Sequence, residues 1–197
     1  MPQPNKFEYS ILTTALNAQR FHIDMTGGWY VWYSHESFLQ NFIARELASD
    51  YRLNVDLSRK RLRNAVRPRG RPPNPESLRQ RFDLIVWSKT TAKVKAVIEI
   101  KIGWSKAPVL RDVIKVQDFR KTAHGRDAAG YVLYYTDKIR SKKGNEWDRN
   151  TLADRFVRIH DSMRANLRVQ FGIRHEPSDF VSTHEFDDPW GFALFRC

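Results

Sequence analysis

A single cysteine, Cys197, excludes an internal disulfide framework and suits a reducing compartment, the cytoplasm. The six histidines form no HExxH and no paired Cys/His spacing, so a zinc site has no support. No apolar run approaches the ~20 residues of a membrane span. The opening MPQPNKFEYS lacks the basic-then-apolar layout of a secretory signal. Neither terminus carries a strongly basic amphipathic helix with an aromatic face, so no membrane partner is expected. Internal repeats are also missing. Acidic residues are in deficit: 22 Asp+Glu against 34 Lys+Arg leave a formal charge of +12. For a soluble chain that excess implies an anionic partner, with nucleic acid in first place.

What is present suffices for one folded domain over residues 1–197. The hydrophobic fraction, 41%, is slightly low, but 12 Phe, 7 Tyr and 6 Trp can fill a core. The first fifty residues read as helical, interrupted at Gly27-Gly28. In YSHESFLQNFIARELASDY, Ser34 suits an N-cap, and Phe38, Leu39, Phe42, Ile43 and Leu47 recur at helical spacing. YRLNVDL (51–57) reads as a strand. Composition then changes: RKRLRNAVRPRGRPPNPESLRQR (59–81) holds nine basic residues, one acidic, four prolines and no aromatic. Such a stretch cannot build a core and is expected to form a mobile basic loop, inserted at 59–80.

RFDLIVWSK (81–89) and KVKAVIEIKIG (93–103) read as a hairpin across the TTA link. A helix follows, with Ser105 as cap, Pro108 in its first turn and Val109, Leu110, Val113, Val116 and Phe119 as its apolar stripe. GYVLYYTD (130–137) is a strand. A further helix places Leu152, Phe156, Ile159, Met163 and Leu167 inward, and the tail THEFDDPWGFALFRC adds one or two strands. The predicted class is α/β, a mixed sheet flanked by helices.

Charges inside the aliphatic run AVIEIKIG (96–103) raise the functional question. A buried charge is costly without a partner. With the turn centred on Thr91, Asp83 falls opposite Glu99 and Arg81 opposite Lys101, on one face. Phe82, Leu84, Val86, Ile98, Ile100 and Ile102 form the other, apolar face. Opposed carboxylates repel, and a sequence that only needed to fold would gain by avoiding them. A divalent cation removes the conflict, because hard Mg²⁺ binds one or two carboxylates and completes its shell with water and phosphate oxygen. The plainer reading of Asp83, Glu99 and Lys101 is a satisfied salt-bridge cluster.

Asp83, fifteen residues, then Glu99-Ile100-Lys101, on a hairpin followed by helix and strand, resembles the PD-(D/E)XK nucleases of restriction-endonuclease-like fold. The resemblance covers about 34–136, the αβββαβ core of that family. The family's proline before the aspartate is replaced here by Phe82. The resemblance implies Asp83, Glu99 and the carbonyl of Ile100 as ligands of Mg²⁺, with Mn²⁺ as a substitute. It implies Lys101 as the group that positions the attacking water and stabilises charge on the phosphate. A glutamate from the first core helix often joins the site, and Glu36 in SHESFLQ matches best, with Glu46 as runner-up. Glu36 reads equally well as a first-turn glutamate favoured by the helix dipole. Gln117 is a further candidate from the second core helix, or an ordinary surface glutamine.

RPRGRPP (67–73) resembles the AT-hook, an extended segment whose arginines enter the narrow minor groove of A·T-rich DNA. A generic phosphate-contacting loop is the alternative. In either case Arg67, Arg69, Arg71 and Arg81 are the expected nucleic-acid contacts. Together these features point to a metal-dependent DNA nuclease, an endonuclease, for which a homodimer is one compatible assembly. A non-cleaving DNA-binding module of the same fold and an RNA-processing nuclease are the alternatives.

Overall fold

The computed structural model describes residues 3–28, 35–58, 61, 81–91, 93–103, 106–122, 125–137, 156–162, 164, 179–184 and 190–197. Its elements are α1 (Lys6–Thr26), α2 (Glu36–Leu47), β1 (Arg52–Ser58), β2 (Arg81–Trp87), β3 (Val94–Ile102), α3 (Lys106–Arg120), β4 (Ala129–Asp137), β5 (Asp179–His184) and β6 (Trp190–Arg196). Residues 156–162 are also helical. Six strands form one mixed sheet in the order β1-β2-β3-β4-β6-β5. Among the described strands only β3 and β4 run parallel, and α3 is their crossover, as a parallel pair requires.

Local sequence explains the helix limits. Asn5 caps α1 in a reciprocal box with Glu8, each side chain accepting from the other's backbone N–H at 3.0 and 2.9 Å. Gly27 ends α1 at φ +71°, a left-handed conformation suited to glycine. For α2 the N-cap is His35, whose side chain makes no capping bond to the first turn. Ser34 and Ser105, the expected caps, lie outside the described residues, as do Leu152, Met163 and Leu167.

Two apolar layers cover the sheet. On one face Ile11, Leu12, Ala15 and Ala18 of α1 and Leu39, Ile43 and Leu47 of α2 pack on Leu84, Val86, Ile98 and Ile100. On the other, Val109, Leu110, Val113, Val116 and Phe119 of α3, with Phe156 and Ile159, pack on Ile85, Val97, Val132 and Phe195. Each Val, Leu, Ile or Phe among them contributes about 1.5–3 kcal/mol when fully buried. Arg196 of β6 ties α1 to the sheet through two charge-assisted bonds to buried Glu8, at 2.7 and 2.6 Å.

One expected facing is corrected. Phe82 does not share a layer with Leu84 but packs on the α3 side, edge-on to Phe119 with centroids 5.2 Å apart. Strand alternation therefore breaks between Phe82 and Leu84, at Asp83. On the other side of β2, the pairing with β1 skips the same step: Val55 pairs with Leu84 and Leu57 with Phe82, while Asp56 takes φ +51°.

Candidate active site

The β2–β3 register is the expected one over Leu84↔Ile98, Ile85↔Val97 and Val86↔Ala96. A bulge shifts it at Trp87, which pairs with Val94, on the turn side of the carboxylates. The regular ladder stops at Leu84, one step short of Asp83 and Glu99. Beyond that point Asp83 leaves the pleat. Its Oδ2 accepts the Ile100 N–H at 2.7 Å, and its carbonyl accepts from Gln40 Nε2 of α2 at 2.5 Å. The aspartate thus replaces a ladder bond with its own carboxylate, and α2 holds the departure open.

Four acids and two lysines gather where β3 passes between α2 and α3. Lys101 Nζ donates to both Glu36 oxygens at 3.1 Å and stands 3.6 Å from Asp112 Oδ2. Glu36 Oε1 also accepts the Ile102 N–H at 3.3 Å. Lys115 Nζ donates to Glu99 Oε2 at 2.5 Å and stands 3.6 Å from Asp112 Oδ1. Glu99 is 1% exposed, yet among the described residues its Oε1 has no hydrogen-bond partner, and neither has Asp112 Oδ2. With every group ionised the cluster carries a formal −2.

Burial dominates the electrostatics of the three inner carboxyls. Burial, and then the neighbouring Asp83, push the Glu99 carboxyl well above the usual carboxylate range, against the pull of Lys115. Burial likewise raises Asp83, although the Ile100 N–H and both lysines oppose it. Asp112 is raised by burial too, again against Lys115 and Lys101. Burial alone would lower Lys101, but Asp112 and Glu36 outweigh it and hold its ammonium above the ordinary lysine range. All three carboxyls are displaced toward the neutral form chiefly because burial disfavours their charge.

The structure thus brings together Asp83, Glu99, Lys101 and Glu36, with Ile100 contributing its N–H to Asp83. Glu46 is exposed on α2 and takes no part. Gln117 is buried, not a surface residue, and its Oε1 has no partner. Arg81 sits at the strand end in an exposed ion pair with Asp56 at 3.0 Å. Arg67, Arg69 and Arg71 lie outside the described residues. Asp112, Lys115 and Gln40 were missed by sequence reasoning. The signal for the first two was available: Asp112 and Lys115 lie at three- and four-residue steps between Val109 and Phe119, within the arc of the α3 stripe.

No three acidic, His or Cys side chains form a ready-made metal cage among the described residues. The donors present, two neighbouring carboxylates in an acid-rich cluster with unpartnered buried oxygens, instead suit a hard cation that keeps part of its water shell. No family model, curated protein or solved structure matches the chain.

Proposed function

We propose that this protein is a metal-dependent nuclease that hydrolyses DNA phosphodiester bonds, acting as a cytoplasmic endonuclease on a restriction-endonuclease-like core. The order α2-β1-β2-β3-α3-β4, with β3 and β4 parallel, supports that reading of the core. The observation that carries the function is Glu99. A glutamate 1% exposed, with one oxygen unpartnered among the described residues and its pKa raised by burial and then by Asp83, is a poor structural element and a good cation ligand. A cluster kept only for stability would tend toward charge balance, because unpaired buried charge is expensive.

In this reading Asp83, Glu99 and the Ile100 carbonyl would hold Mg²⁺ or Mn²⁺. The ion supplies Lewis acidity and lowers the pKa of bound water. Lys101 orients the attacking water and sets positive charge beside the phosphate. Glu36 and Asp112 grip the Lys101 ammonium from α2 and α3, so both act as positioning residues. No side chain here serves as a covalent nucleophile, and water attacks directly.

The test incubates the protein with plasmid, linear duplex, single-stranded DNA and RNA, in Mg²⁺, Mn²⁺ or EDTA. Plasmid should be nicked and linearised with either metal and survive in EDTA. Asp83→Asn or Glu99→Gln should abolish cutting while the protein still folds. Cutting at the wild-type rate by either variant would remove these residues from the site.

A further inference from the structure

Lys115 holds the position that a cation at Glu99 would need. Its Nζ has oxygen from three elements around it: Glu99 Oε2 of β3 at 2.5 Å, the Arg81 carbonyl of β2 at 2.9 Å, and Asp112 Oδ1 of its own helix at 3.6 Å. The side chain is 15% exposed, and its ammonium lies 5.6 Å from the centre of the Phe82 ring. An ordinary surface lysine would extend into water with its stem along apolar surface. This one turns inward among oxygens.

The two lysines of the cluster are also not equivalent. Lys101 contacts Glu36 and Asp112, whereas Lys115 contacts Glu99. A divalent ion on Glu99 and the Lys115 ammonium would compete for the same carboxylate and repel each other at contact distance in a poorly solvated site. Lys115 takes only Oε2, so an ion can still reach Oε1, but each cation weakens the other's hold on Glu99.

The geometry points to Lys115 as a built-in stand-in for the divalent ion. Its ammonium offsets the charge of Glu99 and Asp112 and opposes a divalent ion on the same carboxylate, so it sets metal affinity. This rests on the metal-dependent reading above. Its consequence is that the protein folds without metal, at the expense of binding the ion more weakly than the bare carboxylates would.

The test is calorimetric titration of Mn²⁺, without DNA, into the full-length wild type and the variants Lys115→Met, Lys115→Gln and Lys101→Ala. Both Lys115 variants should bind Mn²⁺ at least about tenfold more tightly than wild type, the fold-change of a single modest charge contact. Lys101→Ala should change affinity by less than about threefold, since its ammonium does not touch Glu99. Metal-free, the Lys115 variants should melt below wild type, and Mn²⁺ should raise their Tm more. Unchanged or weaker Mn²⁺ affinity in both overturns the inference and leaves the nuclease reading standing. If wild type and all variants bind no Mn²⁺, both readings fail together. Should Lys115→Met not fold, Lys115→Gln, which can still donate to Glu99, carries the measurement. Variants that fold only with Mn²⁺ support the inference; failure of both to fold even with Mn²⁺ makes Lys115 a purely structural residue and overturns it.

Discussion

Glu99 has Lys115 on one carboxyl oxygen and no partner on the other, and its folded pKa lies well above the ordinary 4.5. A carboxyl raised by folding contributes stability that is complete below the unfolded value and is lost as pH climbs through the folded one. In EDTA, wild type should therefore lose Tm relative to Glu99→Gln as pH rises from about 4.5 toward neutrality. A melting series of both proteins across that range checks it, and a constant difference would mean that Glu99 is not strained. Mn²⁺ should reverse the trend, because only the ionised carboxylates bind it. Lys101 has a different duty. Lys101→Ala should cost about 10²-fold in cutting rate, the scale of one lost electrostatic donor. If Mn²⁺ affinity in that variant falls as far as in Asp83→Asn, Lys101 belongs to the metal site instead.

The placement of α3 against the sheet decides whether Asp112 and Lys115 reach β3. Gly130 on β4 lies beneath that helix. A Cβ there would come within 2.4 Å of Val116 Cγ1, 2.7 Å of Arg120 Cδ and 3.1 Å of the Cys197 carbonyl. Gly130→Ala should push α3 outward and destabilise the protein by about 1–3 kcal/mol, the range for overpacked cores. Urea unfolding should show it as a lower midpoint with an unchanged slope, and cutting should weaken because Asp112, which grips Lys101, rides on the helix. The element limits themselves were legible in the sequence wherever one periodicity dominated. Leu39, Ile43 and Leu47 announced α2, and the aliphatic runs announced β2 and β3. The β2–β3 register beyond Val86, and with it the approach of Asp83 to Glu99, matches a turn centred on Thr91. It does so only because the bulge at Trp87 offsets a turn that closes one residue differently. Periodicity could not reveal the break at Asp83, which arises from a tertiary bond to Gln40, forty-three residues away. Phe82 was misplaced for that reason. Lys115 was missed because a lysine in a helical stripe reads as solvated unless the acids it meets on a neighbouring strand are known.

Across the whole molecule, charge is distributed very unevenly. Residues 59–81 hold nine basic groups and one acid, a net +8 of the chain's +12, while the proposed site is itself acid-rich. Affinity for DNA and chemistry on it should therefore be separable. Each phosphate neutralised on duplex DNA releases counterions, and log affinity falls with log salt at about −0.9 per contact. Replacing Arg67, Arg69 and Arg71 with Ala should flatten that slope by roughly two to three units if all three touch phosphate. Cleavage at saturating DNA should stay near wild type, since none of the three belongs to the carboxylate cluster. Should the segment bind as an AT-hook, the same variant also loses preference for A·T-rich over G·C-rich duplex, because only the narrow A·T groove concentrates negative potential on inserted arginines. Fluorescence anisotropy on both duplexes through a salt series separates groove binding from generic phosphate contact. An unchanged slope would clear this tract of any role in binding, and the arginines at 155–168 would become the surface to mutate next.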